Sequence, residues 1–214
     1  MKIICVGQNY RAHLQEMKGQ EVSVPTLFGK FEQTVIGDGD PIVLPKDAEH
    51  VDAEAELAVV IGKTARHVSR EDALKHVRGY VCANDVSARD HQYGDGQWWR
   101  GKNHETFCPV GPVPLDDPVP VKELRDGSGL RVMQLLNGVV LQDGNTSQFI
   151  FDVPYLIAFA SSVLPLDPGD LILTGTPSGV GYARDPKVAL KPGDVVEVRV
   201  EGISTLSNPV VAAD

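Results

Sequence analysis

Residues 54–62 read EAELAVVIG, and the two carboxylates that head this run conflict with the rest of it. Leu57 to Ile61 is continuously apolar, rich in β-branched residues and closed by Gly62, the pattern of a strand covered on both faces. A strand advances about 3.3 Å per residue with alternating side chains, so Glu54 and Glu56 share one face, roughly 7 Å apart. Ala58 and Val60 continue that face, and Leu57, Val59 and Ile61 fill the other. The carboxylates are then either solvated at a protruding strand end or buried beside a cation, since burying them unpaired is costly. The strand alone does not choose.

Outward from this run, strands dominate. Residues 2–6 read as a first strand, and Asn9 reads as the cap of a short helix through Met17. Residues 19–45 are rich in Pro, Gly and Asp, with extended pieces at 26–28 and 42–44. Ser69 with Asp72 resembles a capping box for a helix over 70–77, leading into a strand at 80–83. Asn137-Gly138 is a two-residue hairpin signal between strands at 131–136 and 139–141. Residues 152–163, with Pro154 in the first turn, read as a helix. Strands at 171–174, 195–200 and 203–206 close the chain. Strands outnumber helices without regular alternation, so the expected class is α+β, β-rich, as one catalytic domain over 1–214.

Composition excludes several function classes. Twenty Lys and Arg against 29 Asp and Glu give a net charge of -9, which argues against a nucleic-acid partner. Three scattered cysteines make neither a disulfide framework nor a zinc cage and suit a reducing, cytoplasmic setting. No apolar stretch reaches the roughly 18 residues a membrane span needs, so no membrane partner is expected.

Further polar residues bear on the carboxylates. Asp85 follows the strand at 80–83, and three oxygen donors without a His/Cys cluster favour a hard divalent cation such as Mg²⁺ or Mn²⁺ over Zn²⁺. His13 and Glu16 are neighbours on one face if their segment is helical; they are either a surface pair or a general base with its orienting carboxylate. Lys102 is either a solvated loop lysine or an ammonium aimed at an anionic oxygen. GTPSGVG, residues 175–181, lacks the ending of a nucleotide-binding P-loop but presents a Gly-rich backbone after a strand. GDGDP, residues 37–41, lacks calcium-loop spacing and reads as a turn.

Taken in order, GQNYRAHLQEM, EAELAVVIG, GYVCANDVSARDHQ, QWWRGKNHETFCPVGP, LNGVVLQDGNTSQFIF and LILTGTPSGVG resemble the fumarylacetoacetate hydrolase family, especially its short acylpyruvase-like branch, over about residues 7–202. The resemblance implies a mixed β-sandwich roll, a homodimer, and Mg²⁺ or Mn²⁺ held by residues matching Glu54, Glu56 and Asp85. It implies a lid helix in the N-terminal segment 1–45 that carries His13 and Glu16, a catalytic Lys102, and substrate contacts from Lys30, Arg89, Gln92 and Thr176. It implies a small keto-acid substrate, with hydrolytic cleavage of a 2,4-diketo acid expected first. The alternative is oxaloacetate decarboxylation or tautomerisation, or isomerisation of 2-hydroxyhepta-2,4-diene-1,7-dioate, on the same residues. The chain departs from the family pattern at Phe31, where proline is usual, and at Asn103 and His104 beside Lys102, both expected near the distal part of a substrate.

Overall fold

In the computed structural model, which describes residues 1–20, 22–112 and 127–214, the EAELAVVIG run supplies a central strand. β1 (Lys2–Gly7), β2 (Thr26–Phe31), β6 (Ala55–Ile61), β7 (Val77–Asn84) and β12 (Leu171–Leu173) form one mixed sheet in the order β2-β1-β12-β6-β7. Every residue of β6 is buried, and its faces part as the alternation requires. Leu57, Val59 and Ile61 enter the main core, while Ala58 and Val60 meet Ile3, Cys5, Val81 and Leu173 on the other side.

The second sheet explains why β6 is covered. β4 (Ile42–Leu44), β10 (Arg131–Leu136), β11 (Val139–Asn145), β13 (Val195–Val200) and β14 (Ser204–Ala212) run in the order β11-β10-β13-β14-β4. Val132, Val198, Val200 and Leu206 from this sheet pack into the core that holds Leu57 and Val59. Its hairpin turns at Asn137 and Gly138, both at positive φ, with Leu136 opposite Val139, as the Asn-Gly pair requires. Two short pairs complete the β-structure: β3 (Val35–Ile36) with β9 (Cys108–Pro109), and β5 (Val51–Asp52) with β8 (Ser87–Ala88).

Helices are few. The long one, which we number α4 (Val153–Val163), is capped by the Asp152 carboxylate accepting from Tyr155 N–H at 2.9 Å, and it buries Leu156, Ile157 and Ala160 in the main core. α1 (Arg11–Glu16), α2 (Arg89–Gly94) and α3 (Trp99–Lys102) are one to two turns each and carry polar residues inward. No helix among the described residues is long and apolar enough to cross a membrane.

Two local expectations fail. Residues 70–77 do not form an α-helix: Ala73–His76 is a single 3-10 turn, and Val77 already belongs to β7, opposite Ile61. A β-branched residue beside an open strand edge gains more from sheet pairing than from one more helical turn. Asn9 does not cap α1, whose N-cap is Tyr10 with no side-chain bond. Asn9 is instead fully buried, donating to the carbonyls of Phe151 and Thr174 and accepting from Phe151 N–H. It thus joins three distant segments. The GDGDP stretch is a turn, with Gly37 N–H donating to Asp40.

Candidate active site

β6 and β7 run antiparallel with Ala55 opposite Asn84, so the residues flanking that end meet in space. Asp85 N–H donates to the Glu54 carbonyl at 2.9 Å, and the Asn84 side chain accepts Glu54 N–H at 3.0 Å. One oxygen each from Glu54, Glu56 and Asp85 lies within 4.8 Å of the other two. Their exposures are 5%, 1% and 1%, so they are not a solvated strand end.

Buried carboxylates need cations, and three arrive. Lys102, at the end of α3, donates to Glu54 Oε2 at 2.8 Å and Asp85 Oδ2 at 2.6 Å. Lys30, from β2, donates to Asp85 Oδ1 at 2.6 Å. Arg89, opening α2, spans Glu54 Oε1 at 2.6 Å and Asp52 Oδ1 at 2.7 Å, while its remaining arm donates to Gln92. Burial by itself favours neutral Lys102, but Asp85 and Glu54 override it and raise the ammonium above its ordinary range. Burial likewise works against ionised Glu54, and Arg89 with Lys102 overrides it, holding this carboxyl well below the usual carboxylate range.

Glu56 differs. Burial, followed by the charges of Asp85 and Glu54, pushes its carboxyl well up, and among the described residues no cationic side chain lies within ion-pair distance of it. Its one hydrogen bond is from Gly175 N–H at 2.7 Å. Asp52, Glu54 and Asp85 are therefore balanced by Lys30, Arg89 and Lys102, and Glu56 is the fourth carboxyl without a counter-charge. Three converging buried oxygen donors with one left uncompensated fit a hard divalent cation of the Mg²⁺ or Mn²⁺ type.

Opposite this cluster lies His13 on α1. Its Nδ1 is 3.0 Å from Glu16 Oε2, and Glu16 Oε1 accepts Gly179 N–H at 2.7 Å. A carboxylate at Glu16 accepts only, and a neutral imidazole facing it would carry its proton on Nδ1 and leave Nε2 as the base. The Gly-rich loop that supplies Gly179 is shaped by conformation. Gly175 and Gly179 have φ of 97° and 105°, and a Cβ on Gly179 would lie 2.2 Å from the Leu141 carbonyl oxygen. Thr176 of the same loop donates to the Ala55 carbonyl and accepts from Gln142 Nε2 at 2.7 Å.

His13, Glu54, Asp85, Arg89, Gln92, Lys102 and Thr176 line one pocket of about 360 Å³, with Phe28, Tyr93 and Trp98 among its apolar walls. Lys30, Glu56 and Glu16 stand behind these residues rather than on the wall. Lys30, expected to meet substrate, is consumed by Asp85 and the Val86 carbonyl. Asn103 and His104 do not border the pocket either. Asn103 ties β2 to α3 through Phe31 N–H and the Gly29 and Trp99 carbonyls, and His104 pairs with His91 at 2.9 Å.

Two residues of the site gave no signal in the sequence. Asp52 accepts from Arg89 and from Tyr182 N–H at 2.7 Å, orienting the guanidinium. Gln142, fully buried on β11, accepts Ala55 N–H and donates to Thr176 Oγ1 and the Pro177 carbonyl, fixing the Gly-rich loop against the head of β6. Each acts through partners far away in the chain, and the one local hint was a polar residue inside a strand.

The chain is 45% identical over 212 residues to a mitochondrial oxaloacetate tautomerase of Xenopus laevis and 43% identical over 211 residues to one of Rattus norvegicus, with 98% of this chain covered each time. It spans 65% and 66% of the length of these two relatives. Among solved structures, 5-carboxymethyl-2-hydroxymuconate delta-isomerase from Mycobacterium smegmatis superposes with a TM-score of 0.85 at 44% identity, over 100% of this chain and 79% of that one. The 2-hydroxyhepta-2,4-diene-1,7-dioate isomerase from Mycobacterium marinum superposes with a TM-score of 0.84 at 42% identity, over 99% and 74%. The family model for the fumarylacetoacetate hydrolase C-terminal domain matches residues 2–211, and the chain belongs to the fumarylacetoacetate hydrolase family.

Proposed function

We propose that this chain is an isomerase of 2-oxo acids, moving a proton between carbon and oxygen of a keto/enol pair such as oxaloacetate, or along a hydroxydienoate. The carrying observation is that a histidine oriented by a carboxylate, His13 on Glu16, shares one pocket with Lys102 and Arg89, both paired with the carboxylates of the triad. Proton transfer beside a carbonyl needs that pairing: a base for the carbon acid and positive charge for the developing enolate.

A divalent cation held by Glu54, Glu56 and Asp85 would supply Lewis-acid polarisation of the 2-oxo oxygen. The chain's own residues do the rest. Lys102 remains an ammonium between Glu54 and Asp85, so it serves as a fixed charge and not as a base. Arg89, oriented by Asp52 and Gln92, adds a second cation on the pocket wall, which Thr176 also lines. His13 takes the proton from C3 while Glu16 stabilises the resulting imidazolium, and the imidazolium gives that proton up to the 2-oxygen, which restores the neutral base. No water is consumed.

The hydrolytic cleavage expected first from the sequence would employ the same residues and add an attacking water. Relatives named as tautomerases and isomerases support the reading without that water. The test is enol-to-keto conversion of oxaloacetate, followed by ultraviolet absorbance with Mg²⁺ or Mn²⁺, with and without chelator. Metal-dependent acceleration is expected. No acceleration, together with release of pyruvate and acetate from acetylpyruvate, would overturn the reading in favour of hydrolysis.

A further inference from the structure

The polar end of the pocket is accounted for above; its other end is not. Trp98 stands at the head of α3, and its indole is held edge to face against Phe28 of β2, with ring centroids 5.3 Å apart and planes at 72°. The far side of the indole rests on the end of β1 at Gly7, where a Cβ would come within 2.5 Å of the six-membered ring. The absence of a side chain at Gly7 is thus what lets the indole pack against the end of the paired strands β1 and β2, where Gly7 stands opposite Thr26.

What the indole covers is a second opening. Phe28 and Trp98 line both the active pocket and a neighbouring groove bounded by Thr26, Leu27, Gly29, Gly96, Gln97 and Trp99. Each counted with its open side, the groove encloses about 810 Å³ and the pocket about 360 Å³. Two aromatic rings are therefore the partition between a small charged chamber and a larger, half-apolar one. Asn103 and His104, the positions where the sequence departs from its family beside Lys102, do not contribute to this wall.

We infer that Trp98 is the specificity-determining residue of the pocket: its indole ends the chamber and restricts the 2-oxo acid to a compact group beyond C3. The inference rests on the isomerase reading above and adds to it the class of substrate, small 2-oxo acids in preference to arylalkyl ones. Trp98 bonds Lys102 only through the backbone, its carbonyl accepting Lys102 N–H at 3.0 Å, so removal of the indole enlarges the chamber without dismantling the charge cluster. A shape limit of this kind acts through exclusion, and pocket contacts of a few atoms discriminate by about 10- to 200-fold.

The experiment compares keto–enol tautomerisation of oxaloacetate and of phenylpyruvate, whose ring occupies the place of the oxaloacetate distal carboxylate, in the parent protein and in Trp98→Ala, Trp98→Phe and Trp99→Ala. The quantity read is the ratio of kcat/KM for phenylpyruvate to that for oxaloacetate. Trp98→Ala should raise this ratio at least tenfold and Trp98→Phe by less, whereas Trp99→Ala, which alters the groove alone, should leave it at the parent value. A ratio within twofold of the parent in both Trp98 variants overturns the inference, as does an equal rise in Trp99→Ala. If Trp98→Ala does not fold, Trp98→Phe decides alone: a ratio that has not risen overturns it. Failure of the isomerase reading looks different, since the parent then accelerates neither substrate.

Discussion

Glu16 Oε1 accepts the backbone N–H of Gly179 at 2.7 Å, joining the helix that carries the base to the loop that carries Thr176. The same carboxylate holds His13 Nδ1 with its other oxygen. One side chain therefore sets the tautomer of the base and anchors the element on which the base rides.

Glu16→Gln separates these two roles. The amide can still accept from Gly179, so the melting temperature should stay close to the parent. Its NH₂ then faces His13 Nδ1 and forces the proton onto Nε2, removing the free base. Turnover should fall by about 100-fold or more, the worth of a positioned general base. Steady-state kinetics beside thermal melting check this; a variant that keeps full turnover would show that His13 is not the base.

Lys102→Met leaves Glu54 Oε2 and Asp85 Oδ2 facing each other without their shared ammonium. Breaking a buried ion pair by removing one partner costs about 3–5 kcal/mol. Added Mn²⁺ should restore part of that stability, so the metal-induced rise in melting temperature should be larger in the variant than in the parent. Equal rises would mean that the ammonium and the cation do not share the carboxylates.

Metal binding should release a proton. Burial and the charges of Asp85 and Glu54 keep the Glu56 carboxyl protonated above its usual range, and a cation ligated there must displace that proton. Below the raised pKa, affinity falls as pH falls, by up to about tenfold per pH unit; above it, affinity levels off. Calorimetric titration of Mn²⁺ in buffers of different ionisation enthalpy reads the proton directly. A dissociation constant unchanged between about pH 5 and 8 would contradict the assignment.

Gln142→Leu keeps the volume of the side chain and removes three hydrogen bonds at once. It leaves the Ala55 N–H and the Pro177 carbonyl buried without their partner, at about 1–3 kcal/mol each. The urea midpoint should drop accordingly, and KM should rise because Thr176 is no longer fixed. Rescue by Gln142→Glu is not expected, since a carboxylate cannot donate to Thr176 or Pro177.

The alternation of β6 was legible because its two faces enter two different cores and both must be apolar. The metal-type triad was legible only in part: the strand left Glu54 and Glu56 either solvated or beside a cation, and Asp85 together with the order of the family's motifs turned the reading to a metal. The Asn-Gly hairpin carried its own turn chemistry. The short helices α2 and α3 were not legible, since four to six residues hold too little periodicity to be seen. Residues 70–77 misled because a capping pattern is local, whereas Val77 answers to Ile61 across the sheet. Asp52 and Gln142 were invisible because their partners, Arg89 and Thr176, are neighbours only after folding.

The charge balance of the cluster has a kinetic meaning. Counted with a neutral, protonated Glu56, Asp52, Glu54 and Asp85 cancel Lys30, Arg89 and Lys102, and a keto acid entering such a set meets no net attraction. Exchange of that proton for a divalent cation leaves the set with one positive charge, the complement of an anionic guest. On the proposed reading the reactants therefore add in order, cation before keto acid, and the free cation in the surroundings decides what fraction of the protein is competent when substrate arrives.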